Sequence, residues 1–225
     1  MATSDDLIDQ LVSDNPMLQA WGDGTPANWA VTPDALRFLA SLLKRGMRTL
    51  ETGSGHTTVV FALTGTNHVC VTPDPSERTR IMHYCRKLGV GGSVRFINGS
   101  SDAVLPRNSS LPAQLDVVFV DGAHRFPFPC LDWHYTHTRL RIGGVMGIDD
   151  YEMPSVRILH DFLCGEDEWE LIRTIDRTAF FRKLAEPPIV NDCQGQNINR
   201  RHDAERRPGH PLGIDGFEQL NARSR

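Results

Sequence analysis

The sequence predicts a doubly wound α/β fold: a mostly parallel, seven-stranded sheet with helices on both faces and an antiparallel hairpin at one edge. Three observations predict it. Short apolar, β-branched runs alternate with helical segments from residue 47 to about 163, the rhythm of a parallel sheet whose crossovers are helices. The first run leads through Leu50-Glu51 into a glycine turn, Thr52-Gly53-Ser54-Gly55, and then directly into a helix-like segment. Finally, residues 169–175 and 178–184 are strand-like and joined by so short a turn, around Asp176-Arg177, that they must be antiparallel neighbours.

Taken in order, residues 5–20 read as an amphipathic helix, interrupted near Pro16, and Gly22, Gly24, Pro26 and Asn28 punctuate the next segment as turns. Residues 33–44 carry an apolar stripe (Leu36, Phe38, Leu39, Leu42, Leu43) at helical spacing, and Gly46 stops that helix. Residues 47–51 and 68–72 are the first two strands. Asp74-Pro75-Ser76-Glu77 is a helix start, with an acid at the N-cap, proline in the first turn and glutamate three residues after the cap. Residues 94–97, 116–120 and 144–148 supply three more strands, with a helix at about 129–140 between the last two. After Pro187-Pro188 the chain is polar, Arg-rich and without periodicity, which predicts a tail that is loose or docked on another surface. The chain thus divides into an N-terminal helical cap (1–45), a core (46–186) and a tail (187–225).

At 225 residues, 40% hydrophobic and 23% charged, the chain suits one medium domain of a soluble protein. A formal net charge of −4 gives no basic surface for nucleic acid or membrane, so neither is expected as a partner. The acidic first 14 residues lack the pattern of a signal peptide, and no apolar stretch is long enough to span a bilayer. The five cysteines (Cys70, Cys85, Cys130, Cys164, Cys193) are scattered and form no CxxC. These features predict free thiols in a cytoplasmic protein.

In open α/β sheets, ligands bind at the carboxyl ends of the strands. Collected in order, those ends carry Glu51, Gly53 and Gly55; Thr72 and Asp74; Asn98 to Asp102; Asp121 to His124; and Asp149-Asp150-Tyr151. An acid at every end suits a cationic ligand or a divalent metal. The glycine turn lets the backbone approach that ligand closely.

On these residues the chain resembles the class I S-adenosylmethionine-dependent methyltransferases. The resemblance spans about residues 47–184 and rests on four features: Leu50-Glu51-Thr52-Gly53-Ser54-Gly55, the run from Asp116 to Gly122, the run from Ile142 to Tyr151, and the closing hairpin. It implies a Rossmann-like fold and methyl transfer from S-adenosylmethionine to a small-molecule acceptor, with oxygen favoured. It also implies cofactor contacts from Glu51, Gly53, Ser54, Gly55 and Asp121 toward the methionyl end. Thr72 and Asp74 would face the ribose, and Ser101 and Asp102 the adenine. One departure is Thr57, which stands where the common loop has a third glycine. Asp74 has an alternative role as a helix cap.

A narrower resemblance is to metal-dependent small-molecule O-methyltransferases. Asp121-Gly122-Ala123 lacks the second acid of that family's Asp-Gly-Asp, while Asp149-Asp150 is present. It implies a magnesium site from Asp121, Asp149 and Asp150 that would activate the acceptor hydroxyl. Asp121 and His124 are then the catalytic candidates, His124 accepting the proton. In the alternative, Asp149 and Asp150 cap the next helix.

Other features are read more plainly. His134 and His137 form a packed or surface pair on one helix. Trp21 and Trp29 either cover the site or pack the N-terminal helices. Arg200, Arg201, Arg206 and Arg207 either meet an acidic partner or RNA or belong to a solvated tail, and Ile214, Phe217 and Leu220 could bridge protomers of a homo-oligomer. Two alternatives stand beside methyl transfer. The spacing from the glycine loop to Asp74 also fits an NAD(P)-dependent single-domain oxidoreductase, and the fold alone would allow a non-catalytic binding protein.

Overall fold

Chain order begins with helix α1 (Ser4–Asp14), a two-residue hairpin of β1 (Gln19–Ala20) and β2 (Pro26–Ala27), and helix α2 (Pro33–Leu42). The computed structural model describes residues 4–107, 109–187 and 196–198. The alternating part comes next as β3 (Arg48–Thr52), α3 (His56–Leu63), β4 (Asn67–Thr72), α4 (Pro75–Lys87), β5 (Val94–Asn98), a single turn α5 (Ser101–Val104), β6 (Leu115–Val120), α6 (Phe128–Thr136), β7 (Leu140–Ile148) and α7 (Pro154–Gly165). It closes with β8 (Trp169–Ile175) and β9 (Thr178–Lys183).

The seven strands lie in the order β5-β4-β3-β6-β7-β9-β8. Neighbours from β5 to β7 pair in parallel, while β9 runs antiparallel to both β7 and β8. The expected doubly wound sheet with its edge hairpin is therefore what the chain forms. The reversed strand is β9, one place in from the edge, because β8 passes outside it.

Burial explains the arrangement. On β6, Val117 and Phe119 face a core shared with α1, α2, α3 and α4, while Val118 and Val120 face a second core with α7. Alternation along one strand thus serves both faces of the sheet. Ile8, Leu11, Leu36 and Leu39 belong to the first core, so α1 and α2 are packed on the sheet layer rather than on the cavity.

Three expectations are corrected. The first helix stops at Asp14 instead of running to residue 20: Asn15 has φ +41°, and a residue before proline is pushed out of the helical region. The segment after it folds back as the β1–β2 hairpin, closed by Trp21 N–H donating to Thr25 O at 2.8 Å. Helix α6 ends at Thr136, and Leu140 already opens β7, which is longer than expected because its first residues pair with β6 through a register shift. The single turn α5 is an addition to the expected elements.

The chain winds outward from β3 through β4 to β5, then crosses back to place β6 on the other side of β3. That reversal opens a crevice at the carboxyl ends of β3 and β6. Gly53 marks how close the two ends come: it has φ +85°, and a Cβ there would lie 1.8 Å from Asp121 O. Among the described residues, Cys70, Cys85 and Cys130 are free thiols, and no helix is long and apolar enough to cross a membrane. Cys193, the four tail arginines, Ile214, Phe217 and Leu220 lie outside the described residues.

Candidate functional site

A cavity of about 590 Å³ fills the crevice. Its floor is the Gly53–Ser54 loop, Thr72 and the Asp121–His124 turn; its rim includes Trp21, Trp29, Met153 and Arg177. The volume is in the range that holds a cofactor-sized ligand.

On the β3–β4 side, the acids hold the loop in shape. Glu51 is fully buried beneath it. Its carboxylate accepts from Thr57 Oγ1 at 2.8 Å and from Thr58 Oγ1, and faces His68 Nε2 at 3.1 Å. Thr58 Oγ1 in turn accepts from Gly55 N–H at 3.0 Å. Thr57, at the place of the third glycine, therefore ties helix α3 to the end of β3 instead of loosening it. Glu51 and Gly55 support the loop from behind and are not at the cavity wall, while Gly53 and Ser54 are.

Asp74 caps α4, accepting from Ser76 N–H at 2.7 Å and Ser76 Oγ at 2.9 Å, with Arg80 Nη2 3.8 Å away. Those bonds from Ser76 hold its carboxyl below the usual range. Asp74 also touches the cavity. Glu77, expected only to complete the cap, turns inward: its Oε2 accepts from Ser54 Oγ at 2.5 Å and Thr72 Oγ1 at 3.0 Å, and burial raises its carboxyl. Ser101 is at the wall, but Asp102 is exposed, its carboxylate turned to the Ser100 hydroxyl.

On the β6–β7 side, titratable groups crowd together. His124 Nε2 faces Asp121 Oδ1 at 3.5 Å without a hydrogen bond, and Nδ1 faces Asp150 Oδ2 at 3.5 Å. Burial pushes Asp121 up to about 7, and the Asp121 carboxylate raises His124 above its ordinary value. Asp150 sits at φ +52°, where its backbone carbonyl accepts from Met153 N–H at 2.9 Å. Neither Asp149 nor Asp150 caps α7, whose N-cap is Met153.

The expected magnesium set does not fit. Asp149 has a 1% exposed side chain and accepts from the Thr178 hydroxyl. Arg177 Nε lies 3.0 Å from Asp150 Oδ1 and 3.8 Å from Asp149 Oδ2, so a permanent cation already stands between those carboxylates. Magnesium demands near-octahedral oxygen ligands at about 2.0–2.1 Å and retains several waters. Among the described residues, the side chains whose potential ligand atoms come within 4.8 Å of one another are Asp121, His124 and Asp150, a different set. His134 and His137 are not part of it; their rings are 6.2 Å apart, and His137 stacks on Trp133 at 4.4 Å.

Sequence reading missed three residues here. Glu77 was hidden by its fit to a capping box, Arg177 by its place in a hairpin turn. Asp132, on α6, lies wholly buried beneath Gly122, whose Cβ would come 3.2 Å from Oδ2; burial pushes its carboxyl up to about 6. An acid between the apolar Leu131 and Trp133 was the available signal. Trp21 and Trp29 meet edge to face at the rim, centroids 4.8 Å apart.

Residues 50–151 match the family model of a methyltransferase domain. No curated protein matches the chain. Among solved structures, the O-methyltransferase TomG from Streptomyces achromogenes, involved in tomaymycin synthesis and in complex with SAM, is 20% identical; 79% of this chain and 91% of that one align, with a TM-score of 0.62. The cofactor-bound protein Rv0187 from MTB is 16% identical over 81% of this chain and 90% of that one, TM-score 0.61. An rRNA methylase from Streptococcus thermophilus is 13% identical over 68% and 95%, TM-score 0.55. At these identities the likeness is one of fold.

Proposed function

We propose that this chain, which carries a class I, S-adenosylmethionine-dependent methyltransferase domain, methylates an oxygen of a small-molecule acceptor with His124 as the general base. The observation that carries this is His124 itself: an imidazole at the cavity, between two carboxylates, with Nε2 bonded to neither. S-adenosylmethionine, when bound, supplies the methyl group as a sulfonium electrophile. Gly53, Ser54 and Asp121 would hold its methionyl end, Glu77 beside Thr72 the ribose, and Ser101 the adenine. Asp74 is the weaker ribose candidate, since both its oxygens are taken by Ser76.

His124 takes the acceptor's hydroxyl proton, and Asp121 and Asp150 stabilise the imidazolium that results. A side chain so placed contributes about 10²–10⁴ in rate. The rest comes from holding the acceptor in line. Trp21, Trp29 and Met153 offer that acceptor an apolar, largely aromatic wall. Residues 1–45 thereby contribute acceptor contacts through the β1–β2 hairpin, and residues 46–186 form the cofactor-binding core. The net charge of −4 and the acids at the strand ends support a small molecule over RNA, and the free thiols support a cytoplasmic setting.

The test is calorimetric titration with S-adenosylhomocysteine and, in parallel, NADH, followed by a panel of phenolic, amine and carboxylate acceptors. Micromolar binding of S-adenosylhomocysteine alone, with turnover on a phenol that His124→Ala lowers at least about 100-fold, is expected. Binding of NADH alone would overturn the reading, as would turnover confined to amines.

A further inference from the structure

Asp149 and Asp150 end β7 side by side, and two carboxylates so close would repel unless a cation joined them. Arg177 is that cation. From the β8–β9 turn it reaches across with Nε 3.0 Å from Asp150 Oδ1 and 3.8 Å from Asp149 Oδ2. Two further contacts hold it there. Its Nη2 donates to Ala30 O at 2.8 Å, and its backbone carbonyl accepts from Tyr151 N–H at 3.1 Å. Asp150 spends one oxygen on Arg177 and turns the other to His124 Nδ1.

We infer that Arg177 is the resident cation of this acid cluster, standing where a divalent metal would otherwise bind, and that it positions Asp150 against His124. The chemistry of the donors argues for this. One Asp149 oxygen accepts from the Thr178 hydroxyl while Oδ2 has no hydrogen-bond partner and only Arg177 Nε, 3.8 Å away, to answer its charge, and the same guanidinium answers Asp150 Oδ1 at 3.0 Å, so the charge that would draw a hard cation is already balanced. A second positive centre at Asp150 would also face the guanidinium at short range in a partly buried site. A guanidinium cannot be deprotonated in proteins, so the cluster keeps its cation at all working pH values. The same side chain ties the Trp29–Ala30 segment to the strand ends, so one residue links the acid cluster to the rim of the cavity. Arg177 is a positioning residue; its role in turnover rests on the proposed methyl transfer, but its role as the cation does not.

The test is therefore read from ion binding. Manganese is titrated into the chelator-treated protein and followed by the EPR signal of the free ion, for the wild type, Arg177→Gln, Arg177→Lys and Arg177→Gln combined with Asp150→Asn. The wild type and Arg177→Lys are expected to take up no stoichiometric ion below about 1 mM, the order of the weakest carboxylate sites. Arg177→Gln is expected to gain a site at least about tenfold tighter, and the double variant to lose it again. A stoichiometric site in the wild type would overturn the inference. So would an Arg177→Gln protein that keeps its far-UV spectrum and gains nothing. Should Arg177→Gln fail to fold, the wild type and the lysine variant still decide, because either one binding the ion stoichiometrically overturns it. A failed acceptor screen would leave all of these outcomes readable.

Discussion

On the β3–β4 side of the cavity the acids are closed into hydrogen-bond networks: Glu51 accepts from two threonines, Glu77 from Ser54 and Thr72, and Asp74 from Ser76, while His68 Nε2 lies 3.1 Å from Glu51 without a hydrogen bond. On the β6–β7 side, His124 stands 3.5 Å from each of two carboxylates and bonds Nε2 to neither. A satisfied buried network costs free energy to disturb and so fixes a shape. Titratable groups held close but unbonded are poised to gain or lose a proton. One bank is thus built to bind and the other to react, and substitutions on the two banks should fail in different ways.

The largest effect is expected on the reactive bank. His124→Ala should lower kcat by about 10²–10⁴ while leaving S-adenosylhomocysteine affinity within about threefold. Equal losses in both would break the division of labour. The pH profile sharpens it. A base works only after losing its proton, and Asp121 raises His124, so the rising limb of kcat/KM should lie above the ordinary histidine range. Asp150 and Asp149 also act on this imidazole, raising it less than Asp121 does. Asp121→Asn removes the largest cause and should move the limb to lower pH; a limb that stays put would show that another group titrates.

Next in size is the seam between the banks. Gly53→Ala would drive a Cβ into the Asp121 carbonyl, 1.8 Å away, at a φ of +85° that side chains rarely adopt. Overpacking and backbone strain together should cost about 3 kcal/mol in urea unfolding, with loss of S-adenosylhomocysteine binding. Gly22, with nothing within 4 Å of its added Cβ, is the control, and Gly22→Ala should leave both measurements unchanged. Wild-type stability in Gly53→Ala would mean that the β3 and β6 ends can separate freely.

The banks also differ in how far they could be read from sequence. The sheet was legible because its strands are apolar on both faces and its helices carry starts and stops. The glycine loop was legible because Gly53 does a job that only glycine does. What escaped were contacts made across the fold. Arg177 meets Asp150 only because β9 doubles back beside β7, and no local pattern around a two-residue turn announces that. Glu77 satisfied a local rule so well that its inward turn was invisible. The end of α1 was half legible: the interruption expected near Pro16 is where the helix stops, but the residues beyond it form a hairpin instead of more helix.

The smallest predicted effects separate two acids three residues apart on the binding bank. Asp74 is engaged at both oxygens by Ser76 and is more than a third exposed, so Asp74→Ala should lose about 1 kcal/mol of stability as a removed N-cap and change S-adenosylhomocysteine affinity less than about threefold. Glu77→Gln keeps the size and the bond to Ser54 or Thr72 but removes the charge that faces the cavity. It should weaken S-adenosylhomocysteine binding about tenfold, the order of one charge-assisted bond, with little change in unfolding. Analogues lacking a ribose hydroxyl make the comparison specific. The wild type should discriminate against them, Asp74→Ala should still do so, and Glu77→Gln should not. If the discrimination vanishes in Asp74→Ala instead, the ribose belongs to the capping residue and Glu77 is only part of the wall.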